Sequence, residues 1–466
     1  MANEKYISVN KILEITNGEL IYGKDDVICK DFSRDTRTIE RDNTYLGIKG
    51  ENFNGSNFYL DALEKGAKVC ILQDVEIDLE KVSKFKDIAI VKVHDVVESL
   101  QKIATYKRSL YNIPVVGITG SVGKTSTKDI VASVMAKKYK VLKTQGNLNN
   151  QIGLPLTILQ LKDHEALVIE MGMGNLGEIS TLTKIAKPGV AIITNVGTSH
   201  IGNLGSRENI LKAKLEILDG LKENGTLIIN NDNDLLHKWN EENKKASVVT
   251  FGIDQVSDIM AKNIELNENS SIFDVEFNGD VSKLKVNVGG RHFVYNSLCA
   301  TLVGKVFNIP INDIKDAIEN FELTKSRMEI LKKGDITIIN DCYNASFDSM
   351  KASIEYLKAQ KEGRKIAVLG DMLELGSYSK QLHENVGIVV GENKLDILIT
   401  VGKEAEFIAD SAISNGIDEK NVFCFKNNQD AISKINEIKK KDDIILVKAS
   451  NGMNFKEIVE KIMANI

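Results

Sequence analysis

The stretch Val115–Ser126 has the residue types and order of a phosphate-binding loop: an apolar β-branched strand, a glycine-rich turn and the start of a helical pattern. Glycines let backbone N–H groups face an anion, and a helix start adds unpaired N–H donors. Lys124 would reach the terminal phosphates of a nucleotide, and the Thr125 hydroxyl would bind Mg²⁺. Ile118 stands where the common pattern has its first glycine. The strand before and the helix after disfavour a plain glycine turn. The predicted nucleotide contacts are Gly120, Ser121, Gly123, Lys124, Thr125 and Ser126.

Three further polar clusters follow strand candidates or lie on a predicted helix. Glu170 comes at the end of an apolar run, where a carboxylate beside a phosphate loop commonly holds Mg²⁺, although an ordinary acidic turn residue is the alternative. His200 closes the cluster 195–200, and a lone histidine is more often structural than a ligand. Lys212 and Lys214 lie on a helix predicted over 207–220, where composition alone favours a solvated charged face.

Length, charge and cysteine usage limit the class of protein. The 466 residues are too many for one hydrophobic core, so two or three domains are expected. A formal net charge of −5 argues against a general nucleic-acid binder. Five scattered cysteines without metal spacing favour reduced thiols in the cytoplasm. No apolar N-terminal segment and no apolar run of membrane-spanning length is present, which also favours a cytoplasmic protein without a membrane span.

The alternation of apolar runs and helical patterns predicts an α/β protein of three domains. Residues 1–112 form a small α/β domain that ends before Pro114, and the absence of a phosphate loop there favours substrate binding. Strands are predicted in this domain at 44–48, 68–72 and 88–93, and helices at 57–65 and 96–110.

Residues 113–323 form a central domain with a parallel sheet that carries the phosphate loop, and residues 324–466 form a Rossmann-like domain. Ligands of such sheets lie beyond the carboxyl ends of the strands, so a cleft between these two domains is expected. The predicted central strands are 115–119, 166–171, 190–195, 226–230 and 247–251, with antiparallel additions at 259–266, 271–277 and 282–288. The predicted strands of the last domain are 336–341, 365–369, 397–401, 422–425 and 443–447, and its helices are 348–360, 379–391, 403–414 and 453–464.

Taken together, the polar clusters resemble the ATP-dependent Mur ligase superfamily, whose members build the peptide stem of the bacterial cell-wall precursor. The motifs that carry the resemblance are Gly117-x-Thr-Gly-x-x-Gly-Lys-Thr125, Glu170-x-Gly, Asn195-x-x-x-x-His200, Lys214-x-Glu216, His292-x-x-x-Asn296 and Arg327. Three further segments, Gly146–Pro155, Asp341–Ala345 and Leu369–Gly376, resemble the members that add D-alanyl-D-alanine. The resemblance covers nearly the whole chain.

The resemblance implies ATP as a substrate and two Mg²⁺ ions as cofactors. Lys124 and Thr125 would hold the β- and γ-phosphates and one ion, which Glu170 would also ligate. His200 would ligate the second ion. Lys214 resembles the lysine that family members carry as a carbamate, which is an oxygen ligand that suits Mg²⁺.

The remaining implied roles extend over all three predicted domains. Asn296 would contact adenine, Arg327 would stabilise phosphate charge, and Asp341 would bind the ribose, with His292, Tyr343 and Asn344 nearby. In the first domain Ser33, Arg34, Asp35, Thr36 and Arg37 resemble the segment that grips the uridine nucleotide, and 50–56 continues that likeness. The implied activity is that of an amide ligase, expected to be a monomer, that joins D-alanyl-D-alanine to UDP-N-acetylmuramoyl-tripeptide through an acyl phosphate.

Two departures from the family pattern and two alternatives stay open. Ser346-Phe347 replaces the usual Asn-Pro, and Asn451 replaces an arginine whose bidentate anion contact asparagine cannot supply. One alternative is a ligase for another amino acid or for folate polyglutamate. The other is an ATP-driven switch or transport module. The sequence names no general base and does not distinguish lysine from diaminopimelate in the tripeptide. Domain closure would place a hinge near 322–325.

Overall fold

The computed structural model describes residues 5–243 and 246–465, and it contains three β-sheets that follow one another along the chain. Each sheet has helices packed on it, which confirms the predicted three-part α/β fold. Within the described part of the chain, no helix is both long enough and apolar enough to cross a bilayer.

The first sheet has six strands in the order β1-β3-β4-β5-β6-β2. Its centre is parallel, and short antiparallel strands close both edges. The three predicted strands are present within two residues, whereas β1, β2, β3 and α1 were not predicted. The elements are β1 (Ile7–Ser8), α1 (Val9–Thr16), β2 (Glu19–Gly23), β3 (Ile28–Ser33), β4 (Asn43–Leu46), α2 (Tyr59–Glu64), β5 (Val69–Leu72), α3 (Leu79–Val82), β6 (Ala89–Lys92) and α4 (Val96–Ser109).

The central sheet has nine strands in the order β15-β14-β13-β12-β11-β10-β7-β9-β8. It is parallel from β8 to β13, and β14 then pairs antiparallel with both β13 and β15. The prediction that 259–266 is antiparallel to the sheet was therefore wrong for its contact with β12. The strands are β7 (Val115–Thr119), β8 (Val141–Lys143), β9 (Ala166–Glu170), β10 (Val190–Ile193), β11 (Thr226–Asn230), β12 (Ser247–Gly252), β13 (Ile259–Asn267), β14 (Ser270–Phe277) and β15 (Asp280–Val286).

The described residues of this part contain eight helices, and β7 lies among the fully buried inner strands of the sheet. The predicted helix over 207–220 is divided, because a 3₁₀ turn at Glu216–Gly220 follows α9. The helices are α5 (Lys124–Met135), α6 (Gly153–Leu159), α7 (Glu178–Ala186), α8 (Ile201–Leu204), α9 (Arg207–Leu215), α10 (Asp234–Glu242), α11 (Arg291–Val306) and α12 (Ile311–Glu319).

The last sheet has six strands in the order β16-β17-β21-β18-β19-β20, with five parallel strands and the antiparallel edge strand β16. All five predicted strands are present within one residue, and β16 and α16 were not predicted. The elements are β16 (Glu329–Lys333), β17 (Ile336–Asn340), α13 (Phe347–Ala359), β18 (Lys365–Gly370), α14 (Ser379–Glu392), β19 (Ile397–Val401), α15 (Glu406–Ser414), β20 (Val422–Phe425), α16 (Asn428–Ile438), β21 (Ile444–Lys448) and α17 (Lys456–Ala464).

Contacts join the three parts of the chain. Helix α4 packs on α6 and α7, and its Arg108 donates from Nε to the Ala186 carbonyl at 2.9 Å. On the other side, the Tyr378 hydroxyl donates to the Gly205 carbonyl at 2.7 Å, and the Tyr356 hydroxyl donates to the Glu268 carbonyl at 2.6 Å. The central and last parts therefore touch each other.

Candidate active site

A cleft of about 590 Å³ lies beyond the carboxyl ends of β7 and β9, where the last part of the chain faces the central sheet. Strand ends of a parallel sheet are the expected position for a ligand. Every residue predicted to bind ATP or a metal lines this cleft: Gly120, Ser121, Gly123, Lys124, Thr125, Ser126, Glu170, His200, Lys214, Asn296, Arg327 and Asp341.

The phosphate loop has a backbone that favours glycine at two positions. Gly120 has φ of +153°, and a Cβ there would lie 1.9 Å from Thr194 Oγ1. Gly123 has φ of +80° and directly precedes α5. The turn therefore brings backbone N–H groups and the N-terminus of a twelve-residue helix to the floor of the cleft.

Asn195 holds the phosphate loop in place, a role that the sequence did not indicate. Its Oδ1 accepts from the N–H groups of Ser121 at 3.2 Å and Val122 at 3.0 Å, and its Nδ2 donates to the Val122 carbonyl at 3.1 Å. The Thr194 hydroxyl donates to the same carbonyl at 2.6 Å. The end of β10 thus fixes the shape of the loop after β7.

Two lysines enter the cleft with lowered pKa values. Lys124 Nζ donates to the Gly120 carbonyl at 2.7 Å, and burial lowers its pKa while Glu170 opposes the shift. Burial and the Lys124 cation hold the pKa of the Lys214 amine well below its usual range. Within the described residues, no carboxylate pairs with Lys214 Nζ. Lys212, two positions earlier, is exposed, so one of the two lysines reaches the cleft and the other is solvated, as predicted.

Glu170 is buried and shares its two oxygens between two polar side chains. The Thr125 hydroxyl donates to Oε2 at 2.9 Å, and Asn149 Nδ2 donates to Oε1 at 2.8 Å. Asn149 belongs to the 146–155 motif, which was the only signal for its role. Within the described residues, no three His, Cys, Asp or Glu side chains form a metal cage. A hydroxyl and one carboxylate beside a phosphate loop nevertheless fit Mg²⁺, which usually takes few protein ligands and completes its shell with phosphate oxygens and water.

His200 faces a carboxylate from the last part of the chain, which the sequence did not predict. Its Nδ1 lies 2.6 Å from Glu374 Oε2, although the two atoms are not aligned as a hydrogen bond. Burial lowers the pKa of His200, the nearby Lys124 and Lys214 lower it further, and Glu374 opposes them.

Arg327 enters the cleft from the segment that follows the central part. Its guanidinium lies 3.9 Å from the centre of the Tyr343 ring, and its Nε is buried without a partner among the described residues. The flanking residues Ser326 and Met328 have φ of +61° and +51°. Left-handed backbone costs free energy in non-glycine residues. The surrounding structure must offset this cost at Ser326 and Met328 in order to keep Arg327 at the cleft.

Asp341 and Asn296 differ in how free they are to bind a ligand. Asp341 accepts from the Met328 N–H at 3.1 Å, from the Ser353 hydroxyl at 2.7 Å and from the buried Lys448 ammonium. Asn296 accepts from the Thr127 hydroxyl at 3.0 Å, and its Nδ2 is buried without a partner among the described residues. A buried donor of this kind is costly unless a ligand pairs with it.

The segment Ser33–Arg37 does not line this cleft and lies at the end of β3. Asp35 caps a 3₁₀ turn and pairs with Arg37 at 2.7 Å, which lowers the pKa of Asp35 to about 2.

The two departures from the family pattern lie at different places in the last part of the chain. Ser346 forms a capping box with Ser349 at the start of α13, and Asn451 lines the cleft.

Comparisons with known proteins agree with this geometry. The family model of the Mur ligase middle domain matches residues 118–304, and that of the Mur ligase, glutamate ligase domain matches residues 326–451. The chain belongs to the Mur ligase family. This confirms the family resemblance and sets aside the switch or transport module, because the family consists of ATP-dependent ligases.

Several sequence relatives share one specific name. A UDP-N-acetylmuramoyl-tripeptide–D-alanyl-D-alanine ligase of Bacillus subtilis is 35% identical over 460 residues, which cover 98% of both chains. A crystal structure of MurF from Acinetobacter baumannii superposes with a TM-score of 0.88 at 28% identity over 99% of both chains. A Thermotoga maritima MurF ligase in complex with ADP has a TM-score of 0.81 at 29% identity and covers 94% of this Mur ligase and 97% of its own chain.

Proposed function

We propose that this Mur ligase joins D-alanyl-D-alanine to UDP-N-acetylmuramoyl-tripeptide and converts ATP to ADP and phosphate, a step in peptidoglycan precursor synthesis. One observation carries the proposal. The phosphate loop, the Thr125–Glu170 pair, the buried amine of Lys214 and the guanidinium of Arg327 line one cleft. The likeness to ligases of that name over nearly the whole chain supports the choice of substrates.

The chemistry follows from the poor reactivity of a carboxylate toward an amine. Transfer of the γ-phosphoryl group to the terminal carboxylate of the tripeptide gives an acyl phosphate. The neutral amine of the dipeptide then attacks the acyl carbon, and phosphate leaves with one former carboxylate oxygen. Lys124 and Arg327 would position the phosphoryl group and neutralise its charge, as phosphoryl transfer requires.

Two Mg²⁺ ions would be held by Thr125, Glu170, His200 and a carbamate on Lys214, and they would supply charge neutralisation at the phosphate oxygens when bound. The low pKa of Lys214 supports the carbamate, because CO₂ reacts with a neutral amine and not with an ammonium. An unmodified ammonium would repel the ions, whereas a carbamate offers the oxygen ligands that Mg²⁺ prefers.

The other contacts are assigned by the same proposal. Asn296 would donate to adenine, with His292 nearby, and Asp341 would approach the ribose. Ser33–Arg37 would bind the uridine nucleotide, so residues 1–112 would be the UDP-substrate domain, 113–323 the ATP domain and 324–466 the ligase domain. We place the enzyme in the cytoplasm as a monomer.

The proposal is tested by incubating the purified chain with ATP, Mg²⁺ and both substrates, and by following ADP and the UDP-linked product with mass spectrometry. ADP and a pentapeptide product should form only when both the tripeptide and D-alanyl-D-alanine are present. Tripeptides that end in lysine and in diaminopimelate are compared side by side. Product formation with glutamate or another single amino acid in place of the dipeptide would favour the alternative ligase.

A further inference from the structure

Glu374 is a carboxylate of the last part of the chain that lies in the cleft against a residue of the central part. It follows β18 in the segment Leu369–Gly376, and its Oε2 lies 2.6 Å from His200 Nδ1. Its φ is +64°, a left-handed conformation that is uncommon for glutamate. A strained backbone at this position indicates that the surrounding structure holds the residue there.

Buried contacts from three elements hold the loop that carries Glu374. The Met372 N–H donates to Nε2 of the fully buried His383 at 2.9 Å, and the Leu373 N–H donates to Ser450 Oγ at 2.9 Å. The Gly202 N–H, from the central part, donates to the Glu374 carbonyl at 3.2 Å. The position of Glu374 is therefore fixed by backbone hydrogen bonds rather than by its own exposed side chain.

Gly202 allows this loop to approach the short helix α8, which begins after His200. A Cβ on Gly202 would lie 2.6 Å from the Glu374 carbonyl oxygen and 2.6 Å from the Gly376 nitrogen. Both contacts are with backbone atoms that cannot move aside independently. Residues with side chains at position 202 would therefore separate the loop from α8 and move Glu374 away from His200.

A carboxylate at one ring nitrogen of a histidine fixes which nitrogen carries the proton and leaves the other free to bind a metal. We propose that Glu374 is a positioning residue that directs the His200 imidazole, with Nδ1–H toward the carboxylate and Nε2 toward the phosphate end of the cleft. The buried Nδ1 has no aligned hydrogen-bond partner among the described residues, and Glu374 Oε2, 2.6 Å away, is within reach of it. The inference rests on the proposed role of His200 as a Mg²⁺ ligand.

The arrangement makes the second metal site depend on domain closure. His200 belongs to the central part, and its positioning carboxylate arrives with the last part of the chain. Separation of the two parts removes Glu374 and leaves the imidazole free to rotate. The metal site near His200 is then complete only when the part that carries Arg327 is also in place.

Mn²⁺ binding tests the inference without any turnover. Free Mn²⁺ is measured by electron paramagnetic resonance in the presence of a non-hydrolysable ATP analogue, for the wild type and for Glu374→Gln. The variant should bind one of two Mn²⁺ ions about 10- to 100-fold more weakly, as is usual when the hydrogen-bond partner of a metal-bound histidine is lost. Gly202→Ala should weaken the same ion without a change of charge, and Glu392→Gln, an exposed residue at the end of α14, is the matched control.

Three results would overturn the inference. The first is wild-type affinity for both ions in Glu374→Gln, and the second is a wild type that binds only one ion. The third is unchanged Mn²⁺ affinity with a raised KM for the dipeptide, which would indicate that Glu374 binds the amine of the dipeptide rather than positioning His200. The Mn²⁺ titration uses neither the tripeptide nor the dipeptide substrate. A wild type that forms no product would therefore refute the proposed function, and the result of the titration could still be interpreted.

Discussion

The linker into the last part of the chain is tied to the phosphate-loop helix, and this tie gives a quantitative prediction. Asp129 on α5 is buried, and its Oδ2 accepts from the Thr324 hydroxyl at 2.7 Å and from the Thr324 N–H at 3.2 Å. Lys143 and Lys128 lie 2.8 and 3.2 Å from Oδ1. The predicted hinge at 322–325 therefore contains an anchored residue, three positions before Arg327.

Replacement of Thr324 by valine removes the hydroxyl and keeps the shape of the side chain. A hydrogen bond to a charged group contributes about 1.5–3 kcal/mol. The lower end applies here, because the carboxylate keeps the backbone N–H and two lysines as partners. The free energy needed to open the linker should therefore fall by about 1.5 kcal/mol. Because the linker amides exchange hydrogen only when the linker is open, their exchange should be roughly tenfold faster.

Hydrogen exchange with mass spectrometry on the peptide that spans 321–328 measures this opening. Thr324→Ser keeps the hydroxyl and should exchange within about threefold of the wild type. Thr324→Val should have little further effect in an Asp129→Asn background, because the charged acceptor is already lost. Equal exchange in Thr324→Val and wild type, or an equal effect of the serine variant, would refute the anchoring role.

Three further predictions concern the cleft. Lys124→Ala should lower turnover by at least about 100-fold with an unchanged melting temperature, because the lysine faces the cleft rather than the core. Lys214→Ala should be nearly inactive and partly restored by a short carboxylic acid, and wild-type activity should depend on dissolved CO₂, whereas Lys212→Ala should stay active. Burial lowers the pKa of His292 to about 4. The unfolded state gains its proton near pH 6.5 and the folded state does not, so unfolding free energy should fall by about 2 kcal/mol from pH 7 to pH 5. His292→Gln should remove this loss, as followed by the fluorescence of Trp239 in the central part.

Each of these expectations has a contrary result. A folded Lys124→Ala with near-normal turnover would refute the phosphate-loop assignment. Wild-type turnover of Lys214→Ala, or a bare ammonium there in a metal-bound crystal structure, would refute the carbamate. An identical decrease in stability between pH 7 and pH 5 in the wild type and His292→Gln would show that His292 does not carry the acid sensitivity.

Strongly apolar strands were predictable because each is buried on both faces. Val115–Thr119 and Ile397–Val401 were predicted to the residue, and both are buried along their full length. Two of the missed strands lie at sheet edges: Glu19–Gly23 and Glu329–Lys333 are partly exposed, and they have only three and two consecutive apolar residues. Antiparallel pairing of 259–266 is confirmed for its contact with β14 and was wrong for its contact with β12, which runs in the same direction.

The phosphate-loop side of the site was predictable, since spacing along the chain reflects a local strand–loop–helix geometry. The support from Asn195 and Asn149 was not, because both act through contacts between separate strand ends. Glu374 belongs to a motif that was recognised as characteristic, but its contact with His200 depends on how two domains meet. Single-sequence patterns carry no information on that arrangement. The site roles and domain boundaries themselves stay predictions.

Transfer of oxygen from substrate to phosphate tests the central claim most directly. The terminal carboxylate of the tripeptide is labelled with ¹⁸O, and the phosphate released in the presence of ATP and D-alanyl-D-alanine is analysed by mass spectrometry. Activation through an acyl phosphate requires that the carbon–oxygen bond breaks, so each phosphate should carry one ¹⁸O and the product amide should keep the other. Unlabelled phosphate, with its new oxygen derived from water, would contradict the account of this chain as an acyl-phosphate-forming ligase.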